Sequence, residues 1–118
     1  MKGQGFPHRL RVALAGLREA FVAERSFRTQ VLAAAFALAA LTWLRPPLVW
    51  VALVVVMIGL VLAAELINTA LEHILDGLHP DPGAFVRIAK DCAAAAVLVL
   101  SLAALVVFAL MVVAVTKH

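Results

Sequence analysis

Three apolar runs dominate the chain, at residues 31–44, 48–64 and 92–115, and each is essentially free of charge. A helix crossing the hydrocarbon core of a bilayer needs about 20 apolar residues. The third run meets that length alone. The first does so by borrowing residues 27–30, and the second by extending into the polar stretch that begins at Glu65. Arg45, Pro46 and Pro47 separate the first two runs, while Gly77, Pro80, Pro82 and Gly83 interrupt the chain before the third; residues of these types end helices and permit turns. Ahead of the runs, Leu10, Leu14, Leu17 and Phe21 recur at helical spacing, with Arg11, Arg18 and Arg25 elsewhere on the wheel. That is the pattern of an amphipathic helix lying in the membrane interface. The pattern predicts an all-α integral membrane protein with one domain over residues 1–118. It has an N-terminal surface helix at 8–25 and three transmembrane helices within about 27–44, 48–75 and 90–115.

Composition agrees: 65% of the 118 residues are hydrophobic and 14% charged, whereas soluble domains are about 45–50% apolar. A chain of this length is too short for a two-lobed soluble kinase, or for a nucleotide-binding domain added to a membrane domain. The net charge of +3 acquires meaning from its placement. Lys2, Arg9, Arg11, Arg18, Arg25 and Arg28 all precede the first run, next to the bilayer, which suits anionic headgroups and not nucleic acid. With Arg87 and Lys90 in the 77–91 loop, they mark that loop and the N-terminus as cytoplasmic. Glu19, Glu24 and Arg25 stand where a cleaved leader should turn apolar, so the N-terminal segment reads as mature structure. The single Cys92 excludes an internal disulfide and reads as a small buried filler.

Directly after the second run come Glu65, Asn68, Glu72 and Asp76. At about 100° per residue they share one helix face about 80° wide. A carboxylate near hydrocarbon costs at least a few kcal/mol, so such a stripe must face a protein interior, a wet cavity or a cation. The plainer alternative is a solvated helix end beyond the lipid. Glu24, Arg25 and Arg28 before the first span, and Lys90 with Asp91 before the third, arrive at the same level. Carboxylates, an amide and a lysine are the inventory of phosphoryl transfer. Mg²⁺ takes oxygen ligands and is commonly held by one or two carboxylates with substrate phosphates; a cation offsets phosphate charge and a further carboxylate receives the proton of an attacking hydroxyl. No P-loop, Gly-rich phosphate loop, nucleophile elbow or zinc spacing is present. His73 and His79 are isolated and read as interfacial polar residues.

The pattern Glu-x-x-Asn-x-Ala-x-Glu-x-x-x-Asp (Glu65, Asn68, Ala70, Glu72, Asp76) is followed by the Lys90-Asp91 pair. With Gly16-Leu17-Arg18 and the segment Glu24 to Arg28, it resembles the prokaryotic diacylglycerol kinase family, which includes diacylglycerol kinases and undecaprenol kinases. The resemblance runs from about Gly16 to the C-terminus. It implies a homotrimer in a bacterial cytoplasmic (inner) membrane, with active sites between subunits at the cytosolic boundary and the γ-phosphate of ATP passed to a lipid hydroxyl. It implies that Glu65 is the general base and that Glu24 and Glu72 bind Mg²⁺. Glu24, Asn68, Glu72, Asp76, Lys90 and Asp91 would organise ATP, and Arg18 and Arg28, with Glu65, would meet the lipid. The sequence departs from the diacylglycerol kinase pattern at Phe85 to Ile88 and at Ala94, and the surface helix lacks tryptophan. Diacylglycerol going to phosphatidic acid is the first expectation and undecaprenol the alternative. Two other classes compete. A small proton-coupled transporter subunit would also carry intramembrane acids, although its site is usually near the bilayer midplane. A non-enzymatic adaptor would use the small residues Ala33, Ala37, Ala40 and Ala93 to Ala96 for close helix approach.

Overall fold

The computed structural model describes Gly3, residues 5–81 and residues 83–117, all as helices and short connections. Helix α1 spans Phe6–Ala23, α2 Arg25–Leu44, α3 Leu48–Leu78 and α4 Ala84–Thr116. The last three are long and apolar enough to cross a membrane. At 1.5 Å per residue, the 20 residues of α2 match a hydrocarbon core of about 30 Å. The 31 residues of α3 and 33 of α4 exceed it, so both carry polar ends beyond the apolar layer.

Two boundaries differ from the sequence reading. The surface helix does not continue to residue 25: Glu24 is extended (φ −111°, ψ 112°) and forms a joint between α1 and α2. Its N–H still donates to the Ala20 carbonyl at 2.8 Å, so the α1 end is closed as the chain turns. The fourth helix begins at Ala84, well before residue 90. Ala84 to Ala89 contain no helix breaker, Val86 is buried at 2% exposure, and Arg87 pairs with Asp91 one turn on. The connection before it is correspondingly short, with the His79 and Phe85 rings edge to face across it at 5.0 Å.

At the opposite end, Arg45 adopts the left-handed conformation (φ 48°, ψ 58°) and its N–H donates to the Leu41 carbonyl at 3.0 Å. Pro47 then starts α3, where its missing N–H costs nothing. The tight turn makes α2 and α3 antiparallel neighbours. Near it lies the tightest core, Leu41, Val54 and Met111, surrounded by Trp50, Phe108, Val112 and others. Large apolar residues such as Leu32, Phe36, Leu98 and Leu105 face outward, the arrangement suited to lipid. On α1, Leu10, Leu14, Leu17 and Phe21 are also exposed and only Ala20 is buried, as for a helix whose apolar face meets the bilayer. Cys92 is exposed on α4, not the buried filler its alanine-rich surroundings suggest.

Candidate active site

Because α3 continues as a helix through its polar half, Glu65, Asn68, Glu72 and Asp76 remain on one stripe. Partners arrive from the other helices at successive levels. Glu65 is deepest. It is 4% exposed, the buried charged residue among those described, and its Oε2 accepts a hydrogen bond of 2.6 Å from Ser26 Oγ. Ser26 is there because the Glu24 joint starts α2 at Arg25, setting the first turn of α2 against α3. No helical spacing links residues 39 apart, so this partner was not legible in the sequence.

One turn higher, Asn68 Nδ2 donates to Glu72 Oε1 at 3.4 Å. The Asn68 Oδ1 atom is buried with no hydrogen-bond partner. An unsatisfied buried acceptor costs about 1–3 kcal/mol, so it marks a place where a donor or a cation would be welcome. Glu24 leans toward α3, with its Oε1 4.0 Å from Nε2 of His73, the residue after Glu72. Asn68, Glu72 and Glu24 thus supply oxygen atoms, the donor set that suits a hard divalent cation. Among the described residues, no three His, Cys, Asp or Glu side chains come close enough to hold a metal ion.

At the outermost level, Lys90 Nζ of α4 donates to Asp76 Oδ1 at 2.5 Å. Lys90 precedes the apolar run of α4 and so lies outside the membrane-spanning segment. Its hydrogen bond to Asp76 is the main influence raising its pKa above the ordinary lysine value; the charges of Asp76 and Glu72 add to it, and partial desolvation opposes them. The ammonium beside the acids therefore keeps its charge to higher pH than an ordinary lysine.

Three expected site residues stand apart from this stripe within the chain. Asp91 is exposed and pairs at 3.7 Å with Arg87 on its own helix. Arg28 donates through Nη1 to the carbonyls of Phe21 and Val22, at 2.8 and 2.9 Å. It thereby satisfies the open C-terminal end of α1 and fixes the surface helix to α2. Arg18 is exposed on α1. The polar pair Gln30 and Ser101, with Nε2 to Oγ at 3.0 Å, joins α2 to α4 below Ser26.

A family model described as prokaryotic diacylglycerol kinase matches residues 11–112. Over 98 residues the chain is 37% identical to a diacylglycerol kinase of Synechocystis sp.. The match covers 82% of this chain and 56% of that protein, so the chain spans a little over half the length of the relative. The matched region of the family model contains the α3 stripe, the Glu24 joint and the Lys90-Asp91 pair. The chain belongs to the prokaryotic diacylglycerol kinase family.

Proposed function

We propose that the protein is an ATP-dependent membrane lipid kinase that transfers the γ-phosphate of ATP to the hydroxyl of diacylglycerol, giving phosphatidic acid. The observation that carries this reading is the buried Glu65 carboxylate at the lower end of a polar stripe, already accepting a hydrogen bond from a hydroxyl, Ser26 Oγ at 2.6 Å. It lies where the apolar half of α3 gives way to the polar half, the depth at which a lipid alcohol sits. The family match supports the reaction, and the name of the relative, diacylglycerol kinase, favours diacylglycerol as the lipid.

In this reading Glu65 receives the proton as the lipid oxygen attacks the γ-phosphorus, and ADP leaves with the bridging oxygen. Ser26 holds the carboxylate in one orientation, so little reorganisation is needed when the alcohol arrives. Lys90, steadied by Asp76, places a positive charge among the phosphates. Asn68 offers its free carbonyl to the nucleotide or to its metal. Glu24 and Glu72 would hold Mg²⁺, which when bound offsets phosphate charge in the transition state. Asp91 and Arg18, which stand apart within one chain, and the exposed apolar faces fit a homotrimer whose sites lie between subunits. The excess of basic residues in α1 and in the 77–91 segment supports a site at the cytoplasmic face of the inner membrane.

The test is direct. Purified protein in micelles is given labelled ATP, Mg²⁺ and either diacylglycerol or undecaprenol. Label in phosphatidic acid is expected, with undecaprenol the poorer acceptor. Label in neither lipid overturns the reading, and ATP-independent ion flux in proteoliposomes would instead favour a transporter.

A further inference from the structure

Below Glu65 the three membrane helices leave a groove of about 400 Å³ between α2, α3 and α4. Its walls are apolar, with Phe36, Val54, Ile58, Val61 and Phe108 prominent. Two lining residues are polar, Gln30 and Ser101, and they bond to each other at 3.0 Å. The groove ends one helical turn from the proposed base on two helices. Gln30 is one helical turn along α2 from Ser26, which bonds to Glu65, and Val61 is one turn along α3 from Glu65 itself. The polar pair therefore sits about 6 Å below the carboxylate.

The bond between them leaves capacity over. A glutamine amide has two N–H donors and a serine one O–H; the mutual bond uses one amide hydrogen and a serine lone pair. A second amide hydrogen and the hydroxyl hydrogen remain as donors at hydrocarbon depth, where polar groups are costly unless satisfied. The occupant they suit is an acceptor placed a few bonds below the reacting hydroxyl and followed by a hydrocarbon chain. An acylglycerol has an ester carbonyl there. A polyprenol offers only hydrocarbon at that point, and an ether-linked glycerolipid has no carbonyl.

We propose that Gln30 and Ser101 are specificity-determining residues that read an ester carbonyl of the lipid substrate, with its acyl chain in the apolar groove. The proposal rests on the lipid kinase reading and commits it to an acylglycerol. A pair serving only to hold α2 to α4 would fit the same distance, so the decisive readout is discrimination between substrates, in which losses common to all substrates cancel.

The experiment compares kcat/KM for diacylglycerol, the chain-matched dialkylglycerol ether and undecaprenol, using the full chain in micelles with Mg²⁺ and ATP. Wild-type protein should prefer the ester to the ether by about 10-fold, the equivalent of one hydrogen bond, and should use undecaprenol less well than the ester. Gln30→Leu and Ser101→Ala should each bring the ester-to-ether ratio to within about twofold of unity. Equal use of ester and ether by wild-type protein overturns the proposal, with no variant required to fold. So does a preference for undecaprenol, or an ester-to-ether ratio unchanged in both variants. In each of those cases lipid is still phosphorylated and the kinase reading stands. Phosphorylation of no lipid overturns that reading and this proposal with it.

Discussion

At the end of the bundle where α2 turns into α3, Leu41, Val54 and Met111 are buried against one another, with Trp50 and Phe108 around them. At the other end the same helices are joined by polar contacts, Ser26 to Glu65 and Lys90 to Asp76, with the Asn68–Glu72 contact within α3 between them. The first end is packed with apolar side chains, of which Val54 and Phe108 also line the groove. The second holds a buried carboxylate, an acceptor without a partner and a groove beneath them. The difference separates two jobs along one set of helices. Close packing fixes how the helices cross, since lipid gives no hydrophobic reason for them to associate. The polar end can then carry groups that cost stability and wait for ligands.

This separation can be broken at either end. The largest effect is expected for Glu72→Ala, which should lower phosphoryl transfer by about 1000-fold and raise the Mg²⁺ concentration required, because charge stabilisation by a bound metal is worth several kcal/mol. Titration of activity against Mg²⁺ checks it. At the packed end, Met111→Ala should cost about 3 kcal/mol of stability through the cavity it leaves, measured by denaturation in micelles. Turnover per folded molecule should stay within about twofold of wild type. Lys90→Ala should lower transfer by about 100-fold while leaving the unfolding midpoint nearly unchanged, as removal of a single charged donor at a reacting group does. Because Asp76 raises the Lys90 pKa, Asp76→Asn lets the ammonium lose its proton at lower pH. The alkaline edge of the activity profile should then move down, and an edge that stays in place would detach Lys90 from it. The smallest effect is expected for Ser26→Ala, about 10-fold in kcat with little change in KM. The variant removes one hydrogen bond to a charged group but leaves the acid in place.

The main lines of both ends can be read in the chain. Three uncharged runs, two of them completed by flanking polar residues, specify how many helices span the membrane, and the spacing of Glu65, Asn68, Glu72 and Asp76 places them on one stripe with no tertiary information. What stays hidden is cross-helix pairing. Ser26 lies in a polar stretch where a serine is unremarkable, and only the extended backbone at Glu24 turns it toward Glu65. Ser101 is one polar residue in a long apolar run, and its bond to Gln30 follows from the crossing of α2 and α4, which periodicity does not encode. The early start of α4 was masked by the Gly and Pro residues just ahead of it, although Ala84 to Ala89 are themselves compatible with a helix. Arg28 shows the reverse limit. The resemblance assigns it to the lipid, and within one chain the structure also bonds it to the carbonyls that close the end of α1.

The central claim, that Glu65 acts on the lipid hydroxyl and not on the nucleotide, is tested most directly on a single Glu65→Gln preparation. Its ATP affinity and its rate of lipid phosphorylation in one turnover would be measured together. The account predicts nucleotide binding within about twofold of wild type and transfer slowed by about 1000-fold, the middle of the range for losing a general base. Transfer at the wild-type rate, or a loss explained wholly by failure to bind ATP, would contradict it.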